Sequence, residues 1–398
     1  MKDKIRELAA QYFEEAVAIR RHLHMHPELS YEEYETQAFI SQKLTEWGIP
    51  HRTVAKTGVL AQIRSDNNPD KAATAIRSDH DALPIDEKNN QPYKSTRPGK
   101  QHACGHDAHT ACNLLATRIL YELRSEFEGT VNCLFQPGEE YVKSDGTTGA
   151  QLMIDDGALS NPTPRSIVAQ HVNPSVPCGK IALKSGKTMA SVDTIKIKVC
   201  GTGGHAASPH LGTDPLPIAG LLQQALQLIA SRYNNPVNPM VLSISSIHSD
   251  STAFNVLSSE INLLGTLRAY NENWRKEVHR HITRMCQGIA AAFDTRIDCR
   301  IEVGIPFLQN DAPLTERVQQ AAIDYLGAEN VLPIDAYMTG EDFAVYSQQM
   351  PACFYWLGVR NEDRGITSGL HTDTMDIDEN ALKTGAGLLA WLAVSELD

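Results

Sequence analysis

The chain has 398 residues, enough for two domains, and its 42% hydrophobic and 21% charged residues are the balance of a folded globular protein. A formal net charge of −12, with no concentrated Lys/Arg block, excludes a nucleic-acid binder, which needs basic patches to displace counterions. No run approaches the roughly 18 apolar residues of a membrane span, so no membrane partner is expected. The first 23 residues are charged throughout and read as one amphipathic helix, with Ile5, Leu8, Tyr12 and Ile19 on or near one stripe. They lack the apolar centre of a secretory signal. The eight cysteines are scattered without a CxxC pair, which argues against a disulfide framework or zinc ribbon and for a reducing cytoplasm.

A helical pattern over roughly 31–47 closes at Gly48 and Pro50. Strands are predicted at 59–64 and 73–77, the second running into Ser78-Asp79-His80-Asp81. After Pro98-Gly99 comes His102-Ala103-Cys104-Gly105-His106-Asp107-Ala108-His109, followed by Leu114, Leu115, Ile119, Leu120 and Leu123 at helical spacing. Two further strands, 130–135 and 166–169, run into Gln136-Pro137-Gly138-Glu139-Glu140 and Gln170-His171. Strands alternating with helices predict an α/β sheet, whose ligand site gathers beyond the carboxyl ends of its strands. That is where the imidazoles and carboxylates fall.

The pattern changes near Lys187. Strand 193–199, helix 214–233, strands 240–248 and 260–269, helix 272–293 and strand 295–303 follow in the order β-α-β-β-α-β, that of a ferredoxin-like unit. The chain then returns to a helix (313–326), a strand (352–359) and a last helix after Glu379. The expected organisation is an α/β domain in two pieces, 1–186 and 304–398, with 187–303 inserted.

Cys104 and His106 stand just before a helix, where unpaired N–H groups and the helix dipole favour a thiolate. A zinc-like cation accepts thiolate and imidazole alike, and further donors follow downstream as Glu139, Glu140, His171 and His371. Spacing alone leaves open a metal site, a Cys104 nucleophile with a histidine base, and an inert polar helix start.

The ordered strings RRHLHMHPELSYEE, TGVLAQI, SDHDALPI, HACGHDAHTA, FQPGEE, MASVDTIKIKVCGTGGHAASPH, AFNV, GTLRAY, MTGEDFA and LHTD, from Arg20 to Asp373, resemble the M20 metallopeptidase family. The match is to its amidohydrolase branch of hippurate hydrolases, N-acyl-amino-acid amidohydrolases and auxin-conjugate hydrolases. The resemblance implies a zinc-peptidase-like α/β domain with an inserted ferredoxin-like α+β dimerisation domain, and a homodimer formed through the insert. It implies two divalent cations (zinc, manganese, cobalt or nickel) held by Cys104, His106, Glu140, His171 and His371, with Cys104 bridging. Glu139 is then the general base for a metal-activated water, and His205 reaches the partner's site to stabilise the oxyanion. Asn255 would hold the substrate; Arg268 has the guanidinium fork to clamp a substrate carboxylate or, as a strand residue, to make a structural ion pair.

The implied reaction is hydrolysis of an N-acyl or N-aroyl amino acid. N-acetyl-diaminopimelate or short peptides are the alternatives inside the family, and a Cys104-dependent hydrolase or an inactive binding module the alternatives outside it. His22, His24 and His26 lie on a helical pattern where residues two apart diverge, and are expected to be structural. His109 and His210 are set aside as supporting or structural. Asp79, Asp81 and Glu341 are expected to orient a metal-binding imidazole. His80 stands where relatives usually read Met.

Overall fold

The computed structural model describes residues 1–397. One eight-stranded sheet runs in the order His51–Val54, Gly58–Arg64, Thr130–Gln136, Ala73–Asp79, Ile167–Pro177, Ala352–Arg360, Ile181–Leu183, Val331–Pro333. Its centre is parallel: Ala73–Asp79 pairs in that sense with Thr130–Gln136 and Ile167–Pro177, and Ile167–Pro177 with Ala352–Arg360. Strands buried on both faces read as apolar runs, and every residue of Ala73–Asp79 and Thr130–Gln136 is buried.

On one face the core gathers helices Lys2–Gln11, Phe13–Met25, Tyr34–Glu46, His106–Glu122, Ala312–Leu326 and Asn380–Ser395. The other face is covered by the short helices Gly149–Asp155 and Ala344–Ser347 with the Trp356, Phe354 and Met189 side chains. The helix His106–Glu122 is enclosed between the sheet and the outer helices, and its residues are buried without a break through Thr117. An all-round buried helix must carry few charges, which makes His106, Asp107 and His109 at its start conspicuous.

The second sheet, in the order Met240–Ser249, Glu260–Ala269, Ser191–Cys200, Ile297–Val303, is antiparallel throughout. Helices Pro215–Leu228 and Glu272–Ala292 pack on it around Ile195, Ile197, Leu222, Leu263, Val278 and Ile282, a core separate from those of the first sheet. This is the ferredoxin-like order, carried on an α/β sheet. The chain passes between the two sheets through a ribbon in which Gly186–Met189 pairs antiparallel with Leu308–Asn310. Beside that crossing the buried Asp193 accepts from Arg275 Nε at 2.9 Å and Gly304 N at 3.1 Å, with His279 Nε2 2.6 Å away. Among the described residues no helix is long and apolar enough to cross a membrane.

Three expectations need correction. The N-terminal helix is not continuous but breaks at Tyr12 (φ −95°, ψ 10°) into Lys2–Gln11 and Phe13–Met25. There the Tyr12 ring lies 3.7 Å under the Arg118 guanidinium and its hydroxyl donates to Glu122, a tertiary contact that periodicity cannot report. The strand expected to stop before Gln170-His171 runs instead from Ile167 to Pro177, so His171 sits inside a strand, paired with Trp356. The helix expected to run uniformly to residue 233 does reach Tyr233, but is α only as far as Leu228, its last turn, Ile229–Tyr233, widening to π geometry.

Candidate metal centre

Four segments converge at the carboxyl ends of the central strands. The loop after Asp79 brings Asp81, the loop after Gln136 brings Glu139 and Glu140, strand Ile167–Pro177 brings His171, and the turn before helix His106–Glu122 brings Cys104 and His106. Gly105, between the last two, takes φ +82°, and a Cβ there would meet Val172 Cγ2 at 2.4 Å. Only glycine lets the chain turn this tightly against the strand carrying His171. His371 arrives on a later loop at φ +60°, its amide donating to Ala103 O at 2.8 Å.

Cys104 Sγ is the common point. It lies 3.4 Å from His171 Nε2 and 3.3 Å from His371 Nε2. Glu140 Oε1 lies 3.5 Å from His371 Nε2 and 3.8 Å from His106 Nε2. Donor atoms therefore fall into two close sets that share the cysteine, Cys104–His106–His171 and Cys104–Glu140–His371. Glu139 falls in a third set with His106 and Glu140, and in a fourth with Glu341 and Asp342. Its Oε1 accepts the Asp342 amide at 3.3 Å.

Hydrogen bonds behind these donors fix their ring orientation. His171 Nδ1 donates to Val172 O at 2.8 Å, which leaves the Nε2 lone pair facing Cys104. His106 Nδ1 lies 3.3 Å from Asp81 Oδ1, so Nε2 faces the cluster. His109 is used at both nitrogens, 2.6 Å from Asp79 Oδ1 and accepting the Val172 amide at 2.9 Å, and so is a support. Asp81 thus faces the imidazole of the cluster and Asp79 the imidazole behind it. Glu341 differs from expectation: its carboxylate sits 3.1 Å from Arg77 Nη2 beside Glu139 and, among the described residues, is bonded to no histidine.

The donor set fits divalent cations. Among the described residues His106 Nε2 and Glu140 Oε1 are buried atoms with no hydrogen-bond partner, an arrangement that costs free energy unless something else binds there. Burial pushes the Cys104 thiol well up, and Glu140 and Glu139 push it further. Burial likewise raises the Glu139 carboxyl, with Glu341 and Glu140 adding to it. Burial draws the His106 imidazolium down, but Asp79 and Asp81 outweigh it and carry the group up to about 10. So many acidic groups crowded around one sulfur suit bound cations, and mixed S/N/O donors suit a borderline-soft metal. The same surroundings oppose a free nucleophilic cysteine, which needs an electropositive neighbourhood to ionise.

Other expected residues lie elsewhere. His205 is exposed on the short strand Gly204–His205, opposite Val256, with Nδ1 accepting the Ala207 amide at 3.0 Å. Asn255 is beside it, its carbonyl accepting the Ala206 amide at 3.0 Å. Neither is hydrogen-bonded to the cluster among the described residues. Arg268, on strand Glu260–Ala269, donates to Thr266 Oγ1 at 3.1 Å and forms no ion pair among the described residues. His24 is buried between Asp107 Oδ2 (2.7 Å) and Glu87 Oε1 (3.2 Å), His22 stacks on Phe39, and His26 donates to His22 O, all structural placements. His210 is exposed. His80 is buried with both ring nitrogens unpartnered among the described residues, and burial lowers it to about 4. The Asp342 amide on Glu139 and the Trp356 ring 5.3 Å from the His171 ring had no signal in the sequence, since both depend on distant strands meeting.

The profile of peptidase family M20/M25/M40 matches residues 75–395. The N-acetyl-L-cysteine deacetylase of Bacillus subtilis (strain 168) is 38% identical over 367 residues, 92% of this chain and 84% of that protein. The IAA-amino acid hydrolase ILR1-like 5 of Arabidopsis thaliana is 34% identical over 391 residues, 97% of this chain and 87% of that protein. Among solved structures, the Bacillus subtilis YXEP protein, described as a dinuclear metal binding peptidase from the M20 family, superposes with a TM-score of 0.79 at 32% identity. That likeness covers 97% of this chain and 98% of that one.

Proposed function

Since the chain belongs to peptidase family M20/M25/M40 and is a hydrolase of amide bonds, we propose that it cleaves N-acyl or N-aroyl amino acids into a carboxylic acid and a free amino acid. The observation that carries this is Cys104 Sγ standing in both donor sets, with the Glu139 carboxylate beside them. Cys104, His106 and His171 would hold one divalent cation, and Cys104, Glu140 and His371 the other. Such a pair lowers the pKa of a water and polarises the scissile carbonyl.

The protein's own residues do the rest. Glu139 takes a proton from the attacking water on its carboxylate and returns it to the amine nitrogen as the C–N bond breaks. The Asp342 amide holds that carboxylate in place. Arg268, without a carboxylate partner, offers a guanidinium fork to the substrate carboxylate. His205 and Asn255 point outward from the segment 187–303 and serve the active site of a second copy, His205 as hydrogen-bond donor to the developing oxyanion. In support of that homodimer, Leu211, Val237 and Phe254 of the same segment are 80%, 79% and 98% exposed. Segments 1–186 and 304–398 form the catalytic domain, and 187–303 the dimerisation domain. The eight free cysteines fit a cytoplasmic setting.

The test is hydrolysis of N-benzoylglycine, N-acetyl amino acids and N-acetyl-diaminopimelate by metal-stripped protein, before and after addition of Zn²⁺, Mn²⁺, Co²⁺ or Ni²⁺. Turnover of an N-acyl amino acid that disappears on stripping and returns with a metal is the expected result. Turnover indifferent to stripping overturns the proposal.

A further inference from the structure

We propose that Tyr31 and Glu33 are positioning residues that hold the 137–141 loop so that the Glu139 carboxylate stays in place beside the donor sets. This rests on Glu139 being the general base. The loop lies between strand Thr130–Gln136 and helix Gly149–Asp155, and among the described residues Glu139, Glu140 and Tyr141 take part in no backbone–backbone hydrogen bond. Among the described residues the backbone of 137–141 makes one backbone bond, Gly149 N to Gly138 O at 3.2 Å, so the restraint on the two adjacent carboxylates beyond it comes from side chains.

The segment 30–33 supplies it. Glu33 is fully buried at the entry to helix Tyr34–Glu46, yet its carboxylate does not cap that helix. Oε1 instead accepts the amides of Gly138 and Tyr31, each at 2.8 Å, and Oε2 accepts Thr57 Oγ1 at 2.8 Å. Beyond the glutamate pair, Tyr31 donates its hydroxyl to Tyr141 O at 2.6 Å. Between them, the Glu140 amide donates to Asp81 Oδ2 at 3.0 Å, and Ser30 Oγ holds the same oxygen at 2.6 Å. The pair is therefore tethered before, within and after.

Two backbone outliers meet at this contact. Tyr31 takes φ +67°, a conformation a bulky side chain adopts only when its surroundings impose it. Its ring packs against Gly138, itself at φ +61°, where a Cβ would come within 2.4 Å of Tyr31 Cε1. A side chain at 138 or an ordinary φ at 31 would separate the two segments.

The test uses full-length, metal-loaded protein with N-benzoylglycine or an N-acetyl amino acid as substrate. Glu33→Ala leaves the Gly138 amide unheld, and kcat falls about 10- to 100-fold, the scale set by misplacing a reacting group. KM and metal content stay as in the wild type. Glu33→Gln recovers most of the loss, because its amide oxygen accepts the same N–H groups and its NH₂ donates to Thr57. Tyr31→Phe removes one hydroxyl without threatening the fold and lowers kcat several-fold with KM unchanged. Wild-type kcat in Tyr31→Phe, or a Glu33→Gln variant no faster than Glu33→Ala, overturns the clamp. A loss that tracks metal content also overturns it. Glu139→Gln in the same assay reports on the base separately: full turnover there overturns the base assignment, whereas a dead Glu139→Gln beside an unimpaired Tyr31→Phe overturns only the clamp.

Discussion

Glu139 and Glu140 are identical side chains on consecutive residues, and their surroundings separate them. Glu140 Oε1 faces His106 and His371, while Glu139 Oε1 faces the Asp342 amide. Glu139→Gln keeps that amide contact and should retain both cations while kcat falls by about 10²- to 10⁴-fold, the usual worth of a general base. Glu140→Gln should instead release metal. Turnover measured beside metal content per chain checks both, and near-normal kcat in metal-loaded Glu139→Gln would remove Glu139 as the base. At this scale the sequence named the donors only through its resemblance to a family, because spacing alone left a metal site, a Cys104 nucleophile and an inert helix start open. It was silent on Glu33, whose Glu-Glu context looks like any solvated face, and on Asp342, which acts through its backbone.

At the scale of elements, the helix His106–Glu122 presents its first turn to the site, and Gly105 lets Cys104 and His106 turn against strand Ile167–Pro177. A Cβ at 105 would strike Val172, the neighbour of His171, and would also strain φ +82°. Gly105→Ala should therefore fold with lowered stability and bind metal more weakly. Isothermal titration of the stripped variant measures this, and wild-type affinity would show that the turn tolerates a side chain. The strands and helices around this turn were legible from their periodicity. The break at Tyr12 and the extension of the His171 strand to Pro177 were not, because one depends on the Arg118 guanidinium and the other on pairing with Ala352–Arg360.

For the molecule as a whole, the junction between the sheets and the proposed dimer carry the predictions. Burial alone would raise the Asp193 carboxyl, but the hydrogen bonds from Arg275 and His279 prevail and hold it below the usual carboxylate value. A depressed carboxylate stabilises the fold above its unfolded pKa of about 4, and that contribution is lost as pH falls through the lower folded value. Asp193→Asn, which leaves the buried Arg275 with Glu272 at 3.1 Å as its remaining counter-charge, should cost about 1.5–3 kcal/mol near neutrality. Denaturant melts of both proteins between pH 7 and pH 3 should show that gap closing below pH of about 4; a gap independent of pH would dissociate Asp193 from the effect.

For the proposed dimer, His205→Ala and Glu139→Gln subunits should each be nearly inactive alone. Mixing them in equal amounts should restore about one quarter of wild-type activity, since half the dimers are mixed and each has one complete site. No recovery in verified heterodimers would mean that each chain supplies its own site.

By itself the amino-acid sequence determined which residues are chemically able to hold cations and move a proton, and the order of elements that makes one sheet interrupted by another. Those properties follow from side-chain chemistry and from periods of 2 and 3.6 residues, which are local. Only the tertiary structure decided that Cys104 belongs to two donor sets, that His109 is occupied at both nitrogens, and that Tyr31 and Glu33 tether a loop about a hundred residues away. Each of those depends on which distant strand ends are brought together, and no local pattern records that.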